Sequence, residues 1–258
     1  LGPLGPAYRG LTKYHGFKMS KVPAAATNTM NNADRHDDDF YATPEICTQI
    51  LMNRLKKLAF YQITESRPGV LAWEPACGDL AIARILRRHG INVICSDIVK
   101  RFDTPFEQMF IQDFLSYAPE LKGWVDINSV EQWHPLRSDP HAAVRKEFSI
   151  ITNPPFNRWI EFVIQALTYT PEVCMFGLLN YMSGIKRYNT IFSIKPPQLI
   201  LVFPKRIEFK SGANYYDFAW YIWNEELLEE HGDITKIEWI DPELINDRQY
   251  KLFPKEET

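Results

Sequence analysis

Val70-Leu71-Ala72-Trp73-Glu74-Pro75-Ala76-Cys77-Gly78-Asp79 decides the fold of this chain. Val70 to Trp73 is a short apolar run of the kind that forms a buried strand, and Pro75 and Gly78 break it. Leu80 to His89 then carries Ala81, Ile82, Ile85 and Leu86 at helical spacing, and Gly90 stops that helix. Asn92 to Cys95 reads as a second strand, ending at Ser96-Asp97, so the segment is a β-α-β unit. Such units place ligands at the carboxyl ends of their strands. The connecting loop holds one glycine and two acids, Glu74 and Asp79. A phosphate site wants glycine-rich backbone and few acids, so this loop favours a ligand that carries a cation. Asp97 stands where an acid accepts hydrogen bonds from ribose hydroxyls. A helix cap at Asp79 and a mere strand end at Asp97 are the structural alternatives.

The same alternation extends in both directions. Upstream, Thr43-Pro44-Glu45 reads as a helix start with Thr43 as N-cap, followed by Ile46, Ile50, Leu51, Leu55 and Leu58 at helical spacing. Downstream, strands are expected over Met109–Ile111, Phe148–Thr152, Val173–Leu179 and Gln198–Phe203. Asp217–Trp223 is expected to pair with the last of these, and Ile234–Ile240 forms a final edge element. An amphipathic helix runs from Arg158 to Leu167, and no element is assigned to Tyr181–Ile194. The pattern predicts an α/β fold with a mostly parallel sheet and a late antiparallel hairpin. Leu115–Arg145, with Trp124, Trp133 and several prolines, has no clean period and reads as an irregular insertion.

Asn153-Pro154-Pro155-Phe156 follows the Phe148–Thr152 strand. Two prolines end the strand because neither donates a ladder hydrogen bond, and they stiffen the turn. An amide and an aromatic ring then share one rigid corner with exposed carbonyls. Such a corner accepts hydrogen bonds from an exocyclic amine and covers the flat ring that bears it. Gln112-Asp113-Phe114 follows the third strand, where Asp113 can accept from an adenine amino group while Phe114 packs the ring.

The totals narrow the choice. The chain has 258 residues, 45% of them hydrophobic, enough for one substantial core. A formal net charge of −3 excludes a uniformly basic nucleic-acid binder but leaves room for a local basic face. Lys186, Arg187, Lys195, Lys205, Arg206 and Lys210 cluster between Asn180 and Gly212 against Glu208 alone, and phosphate contact is expected of them. Cys47, Cys77, Cys95 and Cys174 form no C-x-x-C pair, which disfavours a zinc site and fits a reduced, cytoplasmic compartment. No run is long and apolar enough for a membrane span. Leu1-Gly2-Pro3-Leu4-Gly5-Pro6 resembles sequence added ahead of a native start, with Met19 as initiator. Residues 1–39 are expected to be a mobile arm, with His36 and Asp37-Asp38-Asp39 as a solvated linker rather than a metal site. The main domain is expected over 40–240, and 241–258 as an acidic tail.

Tyr41-Ala42-Thr43-Pro44, Glu74-Pro75-Ala76-Cys77-Gly78-Asp79, Ser96-Asp97, Gln112-Asp113-Phe114 and Asn153-Pro154-Pro155-Phe156 occur in that order. The chain resembles the amino-methyltransferases of DNA, of the N6-adenine type in which cofactor motifs come first, with bacterial and phage enzymes most similar. The resemblance spans about Phe40 to Asn224 and leaves the insertion unmatched. It implies a Rossmann-like methyltransferase fold with a mostly parallel seven-stranded sheet and helices on both faces.

It further implies that S-adenosylmethionine is the cofactor. Tyr41, Thr43 and Pro44 would line its methionine side, and Glu74, Ala76, Cys77, Gly78 and Asp79 would wrap its amino-acid and ribose parts. Asp97 and Ile98 would hold the ribose end, and Asp113 and Phe114 the adenine. The target amine would be held by the Asn153 side-chain oxygen and the Pro154 carbonyl, on a corner stiffened by Pro155, with Phe156 stacked on the base. The target base would be flipped out of the helix. Phe209, in a stretch that matches a late family motif, would supply a second ring, with Tyr215 or Tyr216 as alternatives. The implied activity is site-specific adenine-N6 methylation of DNA, with a partner subunit possible for target recognition and a restriction-modification setting in view. RNA adenine, a protein glutamine amide and a silent DNA-binding subunit are the rival readings.

Overall fold

The computed structural model of the protein describes residues 41–57, 71–101, 109–116, 148–207, 216–224, 227–229 and 234–246. The chain divides into a unit Leu1–His36 and a unit Asp37–Thr258, and every described residue belongs to the second. The expectations for the arm, for most of the insertion and for the end of the acidic tail lie outside the described residues.

Among the described residues eight strands form one sheet: β1 Leu71–Glu74, β2 Asn92–Asp97, β3 Met109–Ile111, β4 Phe148–Thr152, β5 Val173–Leu178, β6 Leu199–Val202, β7 Phe218–Trp223 and β8 Lys236–Trp239. Their spatial order is β3-β2-β1-β4-β5-β7-β6-β8. Only β7 runs against its neighbours, pairing antiparallel with both β5 and β6. This is a mostly parallel, Rossmann-like α/β architecture with the expected late antiparallel hairpin. The expected count of seven strands is corrected to eight. The edge segment pairs parallel with β6, Leu199 opposite Lys236 and Val202 opposite Trp239. Lys236 N–H donates to the Gln198 carbonyl at 2.9 Å and Ile240 N–H to the Val202 carbonyl at 3.0 Å, which occupies ladder groups β6 would otherwise leave open.

Central strands of a parallel sheet are covered on both faces, so they read as unbroken apolar runs. Every residue of β4 and β7 is buried accordingly. On one face, α1 (Glu45–Lys57) supplies Ile50, Leu51 and Leu55, and α2 (Ala81–Arg88) supplies Ile82, Ile85 and Leu86. On the other, α3 (Trp159–Tyr169) supplies Trp159, Phe162, Val163 and Ala166. The inward small residue of α2 is Ala83 rather than the expected Ala81, because α2 packs on both α1 and β2 and its stripe turns to meet them. The expected Thr43 cap is also corrected. α1 starts at Glu45, the Pro44 carbonyl accepts from Cys47 N–H at 2.9 Å, and the Thr43 hydroxyl is used elsewhere.

Two contacts that brace this frame carry predictions. The Trp159 indole lies across Gly177 of β5 and donates to the Phe176 carbonyl at 3.0 Å. A Cβ on Gly177 would stand 2.5 Å from the indole nitrogen and 3.1 Å from a Tyr181 ring carbon. Neither ring has room to retreat, since Trp159 is 1% and Tyr181 8% exposed. Gly177→Ala is expected to cost about 1–3 kcal/mol by overpacking, read as a lower urea midpoint at unchanged m-value.

At the other edge, Arg54 of α1 grips Glu238 of β8 with Nε on Oε2 at 2.5 Å and Nη2 on Oε1 at 2.6 Å. These hydrogen bonds, joined by Lys236 at 2.8 Å, pull the Glu238 carboxyl down to about 2 from an ordinary 4.5. A depressed acid contributes stability above its unfolded value and loses it as pH falls through the folded one. The contribution of this partly exposed pair, about 1 kcal/mol at most, should therefore fade between pH 4.5 and 2. Urea titrations of Glu238→Gln and the parent should differ at pH 6 and converge near pH 2.

Candidate active site

The strand order reverses between β1 and β4, and a cleft opens at the carboxyl ends of β1, β2, β3 and β4. Its volume is about 270 Å³. Open α/β sheets bind ligands at such a switch point.

One wall is the loop from β1 to α2. Its backbone turns sharply through Gly78 at φ 51° and Leu80 at φ 67°. Left-handed backbone is unfavourable for leucine by about 1–2 kcal/mol, and complete burial of the Leu80 side chain holds it there. Three of the loop's N–H groups are already engaged. Cys77 N–H donates to the Ser96 carbonyl at 3.0 Å, Gly78 N–H to Asp97 Oδ2 at 2.8 Å, and Leu80 N–H to the Cys77 carbonyl at 2.7 Å. At the start of α2, Ala83 N–H donates to Glu74 Oε2 at 2.9 Å. A phosphate would want those same donors. With those donors spent and carboxylates lining the wall, it suits a cationic ligand.

Glu74, Asp79, Asp97 and Asp113 all line the cleft. Burial pushes the Glu74 carboxyl well above the usual range, and the neighbouring Cys95, Asp79 and Asp97 raise it further. A ligand cation next to Glu74 would draw it back toward the ionised form. Asp97 takes Gly78 N–H on one oxygen and Val99 N–H, at 3.2 Å, on the other. A carboxylate has about four acceptor positions, so Asp97 keeps capacity for ribose hydroxyls. Asp113 accepts from Leu115 N–H at 3.0 Å and Ser116 Oγ at 2.6 Å, which caps the 3-10 turn Phe114–Ser116. Phe114 is 1% exposed, its ring packed among Trp73, Phe162 and Tyr169 at 5.0–5.9 Å between centroids.

The facing wall is the turn after β4. The two N–H groups of the Asn153 amide are spent on Thr43 Oγ1 at 2.9 Å and the Tyr41 carbonyl at 3.0 Å. A carbonyl can only accept, so the amide nitrogen must face Tyr41 and the amide oxygen must point away. That oxygen, Asn153 Oδ1, is buried at the cleft wall and has no hydrogen-bond partner. Pro154 is buried, and the Pro155 carbonyl accepts from Arg158 N–H at 3.0 Å. Tyr181 Oη donates to the Phe156 carbonyl at 2.8 Å. The Phe156 ring lies 5.4 Å from Tyr41 and almost parallel to it, at 13°, with Phe218 at 5.8 Å.

The cleft thus gathers Tyr41, Thr43, Glu74, Ala76, Cys77, Gly78, Asp79, Asp97, Ile98, Asp113, Phe114 and Asn153 to Phe156, all named from the sequence. Pro44 is not among its lining residues. Arg101, Asn157 and Arg158 also line it and were missed from the sequence. Arg158 could have been found as the cation closing the Asn153 turn. Of the expected nucleic-acid contacts, Lys186, Lys205 and Arg206 are exposed, with Arg206 3.8 Å from Asp217. Arg187 is turned inward: its guanidinium donates to the Tyr181 and Ser183 carbonyls at 3.0 Å and lies over the Tyr181 ring. Tyr216 is half-buried against the core. Phe209, Lys210 and Tyr215 lie outside the described residues. Among the described residues no acid, histidine or cysteine cluster is placed to hold a metal ion, and no helix is long and apolar enough to cross a membrane.

No protein family profile matches the chain, and no curated protein matches it. Solved structures do. A candidate RNA methyltransferase of Pyrococcus horikoshii is similar at 16% identity over 71% of this chain and 86% of its own, with a TM-score of 0.47. The methyltransferase subunit of a type I restriction-modification system from Streptococcus thermophilus is similar at 11% identity, over 71% of this chain and 44% of its own, with a TM-score of 0.44. A candidate class I S-adenosylmethionine-dependent methyltransferase of Listeria monocytogenes is similar at 13% identity over 84% and 70%, with a TM-score of 0.48. The likeness is one of chain path and says nothing of substrate.

Proposed function

We propose that this protein transfers a methyl group from S-adenosylmethionine to the exocyclic N6 amine of adenine in DNA, acting on a flipped-out base. The observation that carries the reading is Asn153: both its N–H groups are tied down, and its buried oxygen has no donor. An unpaired buried acceptor costs about 1–3 kcal/mol, which an arriving N–H group recovers. An amine is such a donor; an ether or a carbonyl is not.

The cofactor fits the donor set. Glu74 and Asp79 suit its ammonium and sulfonium, Asp97 its ribose hydroxyls, and the small residues Ala76 and Gly78 allow close approach. When bound it supplies an electrophilic methyl group. The chain's own residues do the rest. The adenine amine is a poor nucleophile because its lone pair is delocalised into the ring. Hydrogen bonds from its N–H groups to Asn153 Oδ1 and the Pro154 carbonyl localise that pair and orient it. The same two dipoles stabilise the positive charge that develops on nitrogen. Pro155 and the Tyr181 hydrogen bond keep the corner stiff. The Tyr41–Phe156 ring pair offers an aromatic edge to the base. Lys186, Lys205 and Arg206 are proposed to contact backbone phosphates.

Labelled cofactor, offered to DNA, RNA and protein pools followed by nucleoside and amino-acid analysis, tests the assignment. Label in N6-methyladenine of DNA is expected. Label confined to cytosine, to RNA or to glutamine would replace it.

A further inference from the structure

The segment between β5 and β6 carries apolar side chains that the fold does not use. Ile185 is 76%, Tyr188 57% and Met182 38% exposed. Single exposed apolar residues are ordinary, but these stand within one short stretch. Ile185 and Tyr188 sit a helical turn apart, on the helical turn Ile185–Arg187 and its π-helical continuation Tyr188–Phe192.

The segment is built as a stiff knob. Arg187 reaches back under it to the carbonyls of Tyr181 and Ser183 at 3.0 Å and of Asn180 at 3.4 Å. Its guanidinium also lies 4.7 Å from the centre of the Tyr181 ring. Gly184, at φ 115°, allows the sharp entry, and Tyr188 N–H closes on the Gly184 carbonyl at 3.0 Å. Tyr181, at the knob's base, is buried and bonded to the Phe156 carbonyl at 2.8 Å. The apolar tip is therefore tied by a chain of hydrogen bonds to the turn that holds Asn153.

Charge indicates what the tip meets. Residues 178–195 contain no aspartate or glutamate, and Lys186 at the tip is exposed, whereas the cleft itself is lined by four carboxylates. An apolar knob that carries the exposed cation Lys186 and no acid, tied to the Asn153 turn, suits a polyanion with stacked apolar bases inside. We propose that Met182, Ile185 and Tyr188 form a duplex-opening wedge, which enters the nucleic acid helix next to the target and fills the place that the extruded nucleotide leaves. The wedge rests on the functional reading above and extends it. Apolar side chains inserted at a base step offset part of the cost of unstacking.

The test is an Ile185→Ser/Tyr188→Ser variant of the full chain, both positions being exposed. It is compared with the parent on a paired duplex, on the same duplex with an abasic site opposite the target, and on the single strand. On the paired duplex kcat/KM is expected to fall about tenfold or more, while on the single strand it stays within about threefold. The abasic duplex should recover most of the loss, and 2-aminopurine at the target should brighten with the parent only. Equal loss on all three substrates, or none on the duplex, overturns the wedge and leaves the methyl-transfer reading standing. A parent that labels no nucleic acid removes both. Light scattering that finds the parent dimeric and the variant monomeric makes the patch a self-association face and also overturns the wedge.

Discussion

Asn153→Ala is expected to lower methyl transfer by about 100- to 1,000-fold while cofactor affinity stays within a few-fold. The magnitude follows from removing an oriented acceptor at the atom where charge develops. The asymmetry follows from where the amide's bonds go. Its oxygen has no partner among the described residues and is the group proposed to receive the substrate amine, while its nitrogen binds protein only, at Thr43 and Tyr41. Single-turnover label transfer and calorimetric titration of the cofactor separate the two effects. A milder change supports the same logic: Thr43→Val leaves one anchor in place and should cost about tenfold in rate, about one hydrogen bond's worth, with Thr43→Ser restoring it. Unchanged turnover in Asn153→Ala would strip the residue of its assigned role.

Asp97→Ala is expected to do the reverse. Its carboxylate ties the β1–α2 loop at Gly78, accepts from Val99, and the residue is 7% exposed at the cleft wall. Losing a charge-assisted acceptor for ribose, about 1.5–3 kcal/mol, should weaken cofactor binding roughly 10- to 150-fold. Freed from its acceptor, Gly78 N–H would also loosen the loop and lower the melting temperature. At saturating cofactor the rate should recover to within a few-fold, because Asp97 lies on the β1–β2 side of the cleft, away from the Asn153 turn proposed to hold the amine. A variant that binds normally and turns over slowly would move Asp97 from the cofactor to the chemistry.

The strands were legible because burial on both faces makes each one a run of apolar residues, and β1, β2, β4, β5 and β6 fall within a residue or two of the runs that announce them. The late hairpin was legible for the same reason. Strand order was not, because pairing joins residues far apart in the chain. Nothing local says that β7 inserts between β5 and β6, or that β8 runs parallel to β6. Leu80 gave no warning of its left-handed turn, since leucine has no preference for that backbone and only its complete burial enforces it. Arg187 looked like any other cation of its cluster. Its commitment to three loop carbonyls depends on how the chain folds back at Gly184.

The amino-acid order alone settled which chemical groups exist and which loops carry them: acids after the first two strands, an amide and a ring on a corner made rigid by two prolines. Residue type and local stereochemistry suffice for that. The direction of the Asn153 oxygen came only from the folded chain. Its amide is turned by acceptors more than a hundred residues away, at Tyr41 and Thr43, and long-range contact of that kind is written in no local pattern.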